Sequence, residues 1–259
     1  VYKGQSLIGD AIGHATFPGV VLAFMAFSTR SPAVLLVGAM AAAAVTFFAI
    51  QAAHENTRVG LNANLAVFLS GFFGLGMVLK SFIQGNEAYR GASQAGLETY
   101  IFGQAAYMLE ADVKLIAFVA ALCAALLFAF YKELKVFVFD AEYARAVGLP
   151  VRLLQVLLPF LTIAVIGIGI KAVGAILISS FLIIPCVAAS QWSDDFAHVL
   201  FLSAVFGVVA ALAGTYVSTL EQGMSTGPSI ILAASAIAFL SMFFGKRGAF
   251  RKRGRREEA

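Results

Sequence analysis

Apolar residues run along this chain in long blocks, with the polar residues gathered between them. Eight blocks reach the roughly 20 mostly apolar residues that a bilayer-crossing helix needs. They cover 7–28, 33–53, 63–82, 112–131, 153–171, 173–192, 196–219 and 228–245. None alternates with period 2, which excludes an outer-membrane barrel and predicts an all-α, polytopic helical membrane protein of about eight transmembrane helices. The breaks carry turn chemistry at Ser31-Pro32, Asn62, Gly85-Asn86 and Gly227-Pro228. From Leu153 to Trp192 the only charge is Lys171. That stretch holds either two spans joined by a very tight turn or helices broken part-way across.

Composition supports the membrane class. Of 259 residues, 61% are apolar and 12% charged, and the mean hydropathy is +0.90. A soluble domain carries about a quarter charged residues. Disordered chains, disulfide-framed secreted modules and nucleic-acid-binding domains are excluded on the same ground. The two cysteines, Cys123 and Cys186, lie in apolar runs and read as packed thiols. The basic pI belongs to a tail: residues 246–259 carry a net charge of +5, and the rest of the chain −1. The chain thus divides into a single transmembrane domain over 1–245 and a basic tail over 246–259.

Basic residues near span ends mark the cytoplasmic side. The tail is therefore expected inside, as a topology determinant or, alternatively, as a site for anionic membrane lipid. Counting back through eight spans puts Lys3, the His54–Arg58 loop, the 132–152 loop and Ser193–Asp195 inside as well. Lys132, Lys135, Arg145 and Arg152 agree. The 83–111 segment falls outside, with Glu87, Glu98 and Glu110 against Arg90.

Ionisable groups inside spans are costly and are functional candidates by default. The first span has two, Asp10 and His14, four residues apart and so on one helical face. Pro18, four further on, has no N–H to give the His14 carbonyl. A carboxylate, an imidazole and a freed carbonyl suit Mn²⁺ or Fe²⁺, whereas a soft site would show thiolates. The alternative is that Asp10 bonds near the inner interface and His14 packs between helices. Asp194 and His198 share the same spacing, but Ser193-Asp194-Asp195 opens a span and reads as a helix cap. His54, at the end of the second span, reads as interfacial.

The cytoplasmic loop 132–152 contains a short helix with its own punctuation. Asp140 is a good cap, Glu142 lies in the first turn, Arg145 follows, and Gly148 and Pro150 stop it. Such an element suits docking of a soluble partner; an ordinary interfacial helix is the alternative. The chain has no phosphate-cradling loop, nucleophile elbow or redox motif. Any energy source must therefore come from an ion gradient or from another chain.

Several stretches together resemble one family. They are Ser6-Leu7-Ile8-Gly9-Asp10-Ala11-Ile12-Gly13-His14-Ala15 with Pro18-Gly19, Phe102-Gly103-Gln104, the Phe139-Asp140 to Leu149-Pro150 loop, Val173-Gly174-Ala175-Ile176-Leu177 with Leu182-Ile183-Ile184-Pro185, and Thr226-Gly227-Pro228. In this order they resemble the permease subunits of ATP-binding-cassette importers for manganese, zinc and iron. The resemblance implies a type II importer-like permease in a bacterial plasma (inner) membrane, with its C-terminus cytoplasmic.

It further implies a homodimer or paired permease, a cytoplasmic ATP-binding subunit that hydrolyses ATP, and an extracellular or periplasmic metal-binding protein. No cofactor is expected to be permanently bound; the metal is cargo. Asp10 and His14 become metal ligands of the translocation path. Asp140, Glu142, Arg145, Gly148 and Pro150 become the ATPase-coupling element. Family members carry one more helix before the Ser-Leu-x-Gly-Asp stretch, so a helix is expected upstream of Val1. They also carry an acidic residue near Gly60-Leu61-Asn62, which this chain lacks. The Ala95–Gln104 stretch looks more like the manganese/iron branch than the zinc branch. A gradient-driven secondary transporter, which would show inverted repeats, and an intramembrane enzyme built on Asp10 and His14 are the competing readings.

Overall fold

The computed structural model describes residues 6–29, 31–86, 99–103, 105, 108–221 and 224–246. Lys3, Glu87, Arg90, Glu98, Gln104 and the tail beyond Lys246 lie outside the described residues. Among the described residues the chain is all-α and contains no strand. Eleven helices follow in order: α1 (Ser6–Phe27), α2 (Pro32–Asn56), α3 (Leu61–Gly85), α4 (Thr99–Phe102), α5 (Glu110–Ala129), α6 (Tyr131–Phe139), α7 (Ala141–Ala146), α8 (Val151–Val173), α9 (Ile178–Ser190), α10 (Phe196–Ser218) and α11 (Thr226–Phe244).

Seven of these helices are long and apolar enough to cross a membrane. The eighth apolar run, 173–192, supplies only α9, with 13 residues. At 1.5 Å per residue α9 is about 20 Å long, short of the ~30 Å hydrocarbon core. The remainder of that run is a turn that starts at Gly174, whose φ is +99°. The sequence allowed for helices broken part-way across, and this is where the break falls.

Helix α1 is the hub. An 18-residue stretch of it is 67% buried, against 11% for the corresponding stretches of α3, α5 and α10, which turn most of their surface outward. Phe17, Val20, Val21 and Phe24 pack with Leu35 and Ala39 of α2, Ile83 of α3, Tyr100 and Ile101 of α4, and Ile170 of α8. In lipid, helices associate through close packing rather than escape from water. The α1–α2 crossing shows it: a Cβ on Gly19 would lie 2.3 Å from the Gly38 carbonyl oxygen.

Three of the motif stretches meet at one glycine junction. Gly103 follows α4, Gly174 follows α8, and Gly227 opens α11. The Ala175 amide donates to the Tyr100 carbonyl at 2.8 Å, and the Ser225 hydroxyl to the Phe102 carbonyl at 3.3 Å. A Cβ on Gly227 would sit 2.1 Å from the Val173 oxygen and 2.2 Å from the Phe102 oxygen. Those atoms are backbone and cannot swing away. Gly227→Ala is therefore expected to destabilise the protein by about 1–3 kcal/mol through overpacking, read as a lowered Tm of the purified chain. An unchanged Tm would mean that these segments do not touch.

The sequence treats 132–139 as loop, but it forms α6, with Leu134 and Phe137 buried. These two join Ala144 of α7, Val151 and Leu154 of α8 and Cys123 of α5 in one cluster. Phe196, at the start of α10, stacks on Tyr131 at 6.1 Å and meets Phe139 edge-on at 5.5 Å. The α6–α7 corner is thus fixed to the ends of three long helices.

Candidate functional site

Asp10 and His14 lie on one face of α1, and His14 Nε2 stands 3.6 Å from Asp10 Oδ1. That distance is too long for a hydrogen bond. The His14 side chain is 13% exposed and that of Asp10 29%. His14 Nδ1 is buried and has no hydrogen-bond partner among the described residues. The ring is instead held by the edge of Phe73 on α3, with centroids 5.0 Å apart. Pro18 lies on the same helix, with Gly76 of α3 packed against it: a Cβ there would be 3.0 Å from Pro18 Cδ.

Asp10 has a partner from a distant part of the chain. The Ser179 hydroxyl donates to Asp10 Oδ1 at 2.6 Å, and Ser179 is 3% exposed. Ser179 is the second residue of α9 and lies 11 residues before its end at Ser190. That is about 16 Å along the helix axis. Asp10 is therefore tied to the first turn of α9, with its own side chain 29% exposed. Sequence spacing had no route to Ser179, since the contact spans 169 residues.

No group of three or more His, Cys, Asp and Glu gathers among the described residues. Asp10 and His14 are two donors, whereas a hard divalent ion takes about six ligands. The other sequence candidates fall elsewhere. His54 is exposed in the last turn of α2. His198 pairs with Asp195: Nδ1 lies 2.6 Å from Asp195 Oδ2, which also accepts the His198 amide at 3.2 Å. This is a cap on α10, as the sequence reading expects, moved by one residue. The His198 hydrogen bonds hold the Asp195 carboxyl below its usual pKa. Cys123 and Cys186 are free thiols.

The α7 corner is built as its residues require. Asp140 Oδ1 accepts the Glu142 and Tyr143 amides at 3.0 and 2.8 Å, the N-cap geometry. At the other end Gly148 has φ +80°, and the Leu149 amide donates to the Ala144 carbonyl at 3.0 Å. That closure is a Schellman-type stop with glycine in the left-handed position. Ala144 faces inward, while Glu142, Tyr143, Arg145 and Val147 are exposed. A small, rigid knob with mixed charged and apolar side chains is presented outward.

The sequence profile of the ABC 3 transport family matches residues 1–245. The chain is 37% identical to the manganese transport system membrane protein MntC of Bacillus subtilis, over 95% of this chain and 56% of that protein. It thus spans little more than half of that relative's length. It is 36% identical to the zinc transport system membrane protein TroC of Treponema pallidum, over 95% of this chain and 81% of that protein. Among solved structures, PsaBC from Streptococcus pneumoniae in complex with Fab superposes with a TM-score of 0.83 at 28% identity, over 98% of this chain and 86% of that one.

Proposed function

This chain belongs to the ABC 3 transport family, and on that premise we propose that it is the membrane permease subunit of an ATP-driven importer carrying a divalent transition-metal ion, manganese in preference to zinc or iron, into the cytoplasm. The observation that carries the proposal is the His14 imidazole: largely buried, with Nε2 3.6 Å from the Asp10 carboxylate and Nδ1 without a hydrogen-bond partner among the described residues. A buried polar atom without a partner costs about 1–3 kcal/mol. A cation bound at Nδ1 offsets that cost directly, and one held between the ring and Asp10 uses Nε2, the nitrogen that faces the carboxylate. Neutral imidazole and carboxylate are competent ligands for Mn²⁺, Fe²⁺ and Zn²⁺. The relatives named above carry manganese in one case and zinc in the other. The oxygen-rich chemistry favours the harder ion, although raw affinity at a shared site favours zinc.

Two donors do not complete a coordination shell. A second copy of the permease, facing the first across α1, would double the set to two carboxylates and two imidazoles. A cytoplasmic ATP-binding subunit docking on α7 supplies the energy, and an external metal-binding protein delivers the ion. The gradient-driven transporter and the intramembrane enzyme lose ground to family membership. Metal loading discriminates: the purified permease–ATPase complex is expected to bind Mn²⁺ and to transport it into proteoliposomes only when ATP is supplied. ATP-independent uptake, or purification without a stoichiometric ATPase, would overturn the reading.

The α7 proposal has its own test. Gly148→Val places a branched residue at φ +80° and strains the stop by about 1–2 kcal/mol; the site itself has room, with nothing within 4 Å. Arg145→Glu reverses an exposed charge without touching the core. Both variants are expected to insert normally and to lower metal-stimulated ATP hydrolysis several-fold. Normal stimulation in both would make α7 an ordinary interfacial helix.

A further inference from the structure

We propose that Ser179 is a positioning residue for the transported ion: its hydroxyl pins the Asp10 carboxylate in the orientation from which Asp10 and His14 meet the cation together. This rests on the proposed reading of Asp10 and His14 as ligands.

The geometry is specific. Asp10 Oδ1 receives the Ser179 hydroxyl at 2.6 Å and faces His14 Nε2 at 3.6 Å. An aspartate side chain has two free torsions, and a carboxylate with no anchor samples several rotamers. One strong donor on a fixed oxygen removes that freedom before the ion arrives, so less ordering remains to be done on binding. Ligands in metal sites are routinely held this way by hydrogen bonds from residues that do not touch the metal. A hydroxyl suits the task, since it donates to the anion without adding a charge that would repel the cation.

Ser179 is itself fixed from the far side. The turn before α9 is closed by the Leu177 and Ile178 amides, which donate to the Gly174 carbonyl at 3.2 and 3.0 Å. Gly174 is wedged against Ile101, Phe102 and Gly103. Gly13, one residue before His14, lies against Ile178, where a Cβ would approach Cγ2 to 3.1 Å. The first turn of α9 is thereby held against the α1 face that carries both candidate ligands, and its partial positive charge favours an anion there.

The test separates the hydroxyl from its bulk. Ser179→Thr keeps the hydroxyl; Ser179→Val has the same shape without it. Both are compared with wild type, Ser179→Ala and Asp10→Asn in the full chain reconstituted with its ATPase. Two readouts are used: the Mn²⁺ dissociation constant, from loss of the free-ion electron paramagnetic resonance signal on the purified complex, and KM and kcat for Mn²⁺ uptake. Ser179→Ala and Ser179→Val are expected to weaken Mn²⁺ binding and raise KM about tenfold, the loss of one charge-assisted hydrogen bond, with kcat within twofold. Ser179→Thr is expected to restore binding relative to Ser179→Val. Equal dissociation constants for the Thr and Val variants, or a wild-type value for Ser179→Ala, would overturn the positioning role while Asp10→Asn remains inactive. Wild-type binding and uptake in Asp10→Asn would overturn the ligand reading, and this inference with it.

Discussion

Uptake of Mn²⁺ by proteoliposomes is expected to fall about 100-fold when Asp10 becomes Asn or His14 becomes Ala, the upper end of the range for losing a mere outer-shell partner of a metal ligand. Asp10→Asn keeps the side-chain shape and still accepts the Ser179 hydrogen bond, so it removes little besides the charge that offsets the cation. His14→Ala removes the nitrogen donor and leaves a space beside Phe73. Because either change opens the same shared site, the double variant is expected to be hardly worse than either single one. Packing roles forecast otherwise. Asp10→Asn would then transport normally, and His14→Ala would show its defect as lost expression or a lowered Tm. The measurement is initial uptake rate per folded transporter for the three variants, with Tm alongside. Transport near wild type in either single variant would remove Asp10 and His14 from the path.

The i, i+4 pair was legible in the sequence because helical periodicity alone places Asp10 and His14 on one face, and α1 is an unbroken helix through both. The long spans were legible for a similar reason: 20 apolar residues have few other uses. The punctuation of α7 also survives intact, since Asp140 and Gly148 act through backbone groups only two to four residues away. What was hidden lies between elements. The run 173–192 is apolar throughout, so hydropathy does not reveal that its helix begins at Ile178; Gly174 marks the turn only once the backbone pressing on it is known. Helix α6 was missed although Leu134 and Phe137 have helical spacing, because Lys132, Glu133 and Lys135 make the stretch polar enough to read as loop. Neither Ser179 nor the partner of Lys171 is near in sequence to the residue it contacts.

That partner is Asp112, and the pair carries the largest stability effect expected in the bundle. Lys171, near the end of α8, forms a salt bridge to Asp112 Oδ2 in the first turn of α5. Asp112 is 1% exposed. Oδ2 also takes the Leu109 amide at 3.2 Å, while Oδ1 has no hydrogen-bond partner among the described residues. Asp112 therefore depends on Lys171 for most of its compensation. Lys171→Met leaves a buried, uncompensated carboxylate, a change that costs about 3–5 kcal/mol. At roughly 2–4 °C per kcal/mol for a chain of this size, Tm is expected to drop by about 6–20 °C. The reverse change is milder. The Lys171 side chain is 22% exposed and its long stem can carry the ammonium toward water, so Asp112→Leu is expected to cost about 1–3 kcal/mol. Replacing both charges with apolar side chains of similar volume, Asp112→Leu with Lys171→Met, removes the desolvation penalty together with the attraction, and such replacements are often neutral. The double variant should thus be more stable than Lys171→Met alone. Thermal unfolding of the four proteins in one detergent measures the cycle. A double variant whose loss equals the sum of the two single losses would mean that Asp112 and Lys171 do not act as a pair.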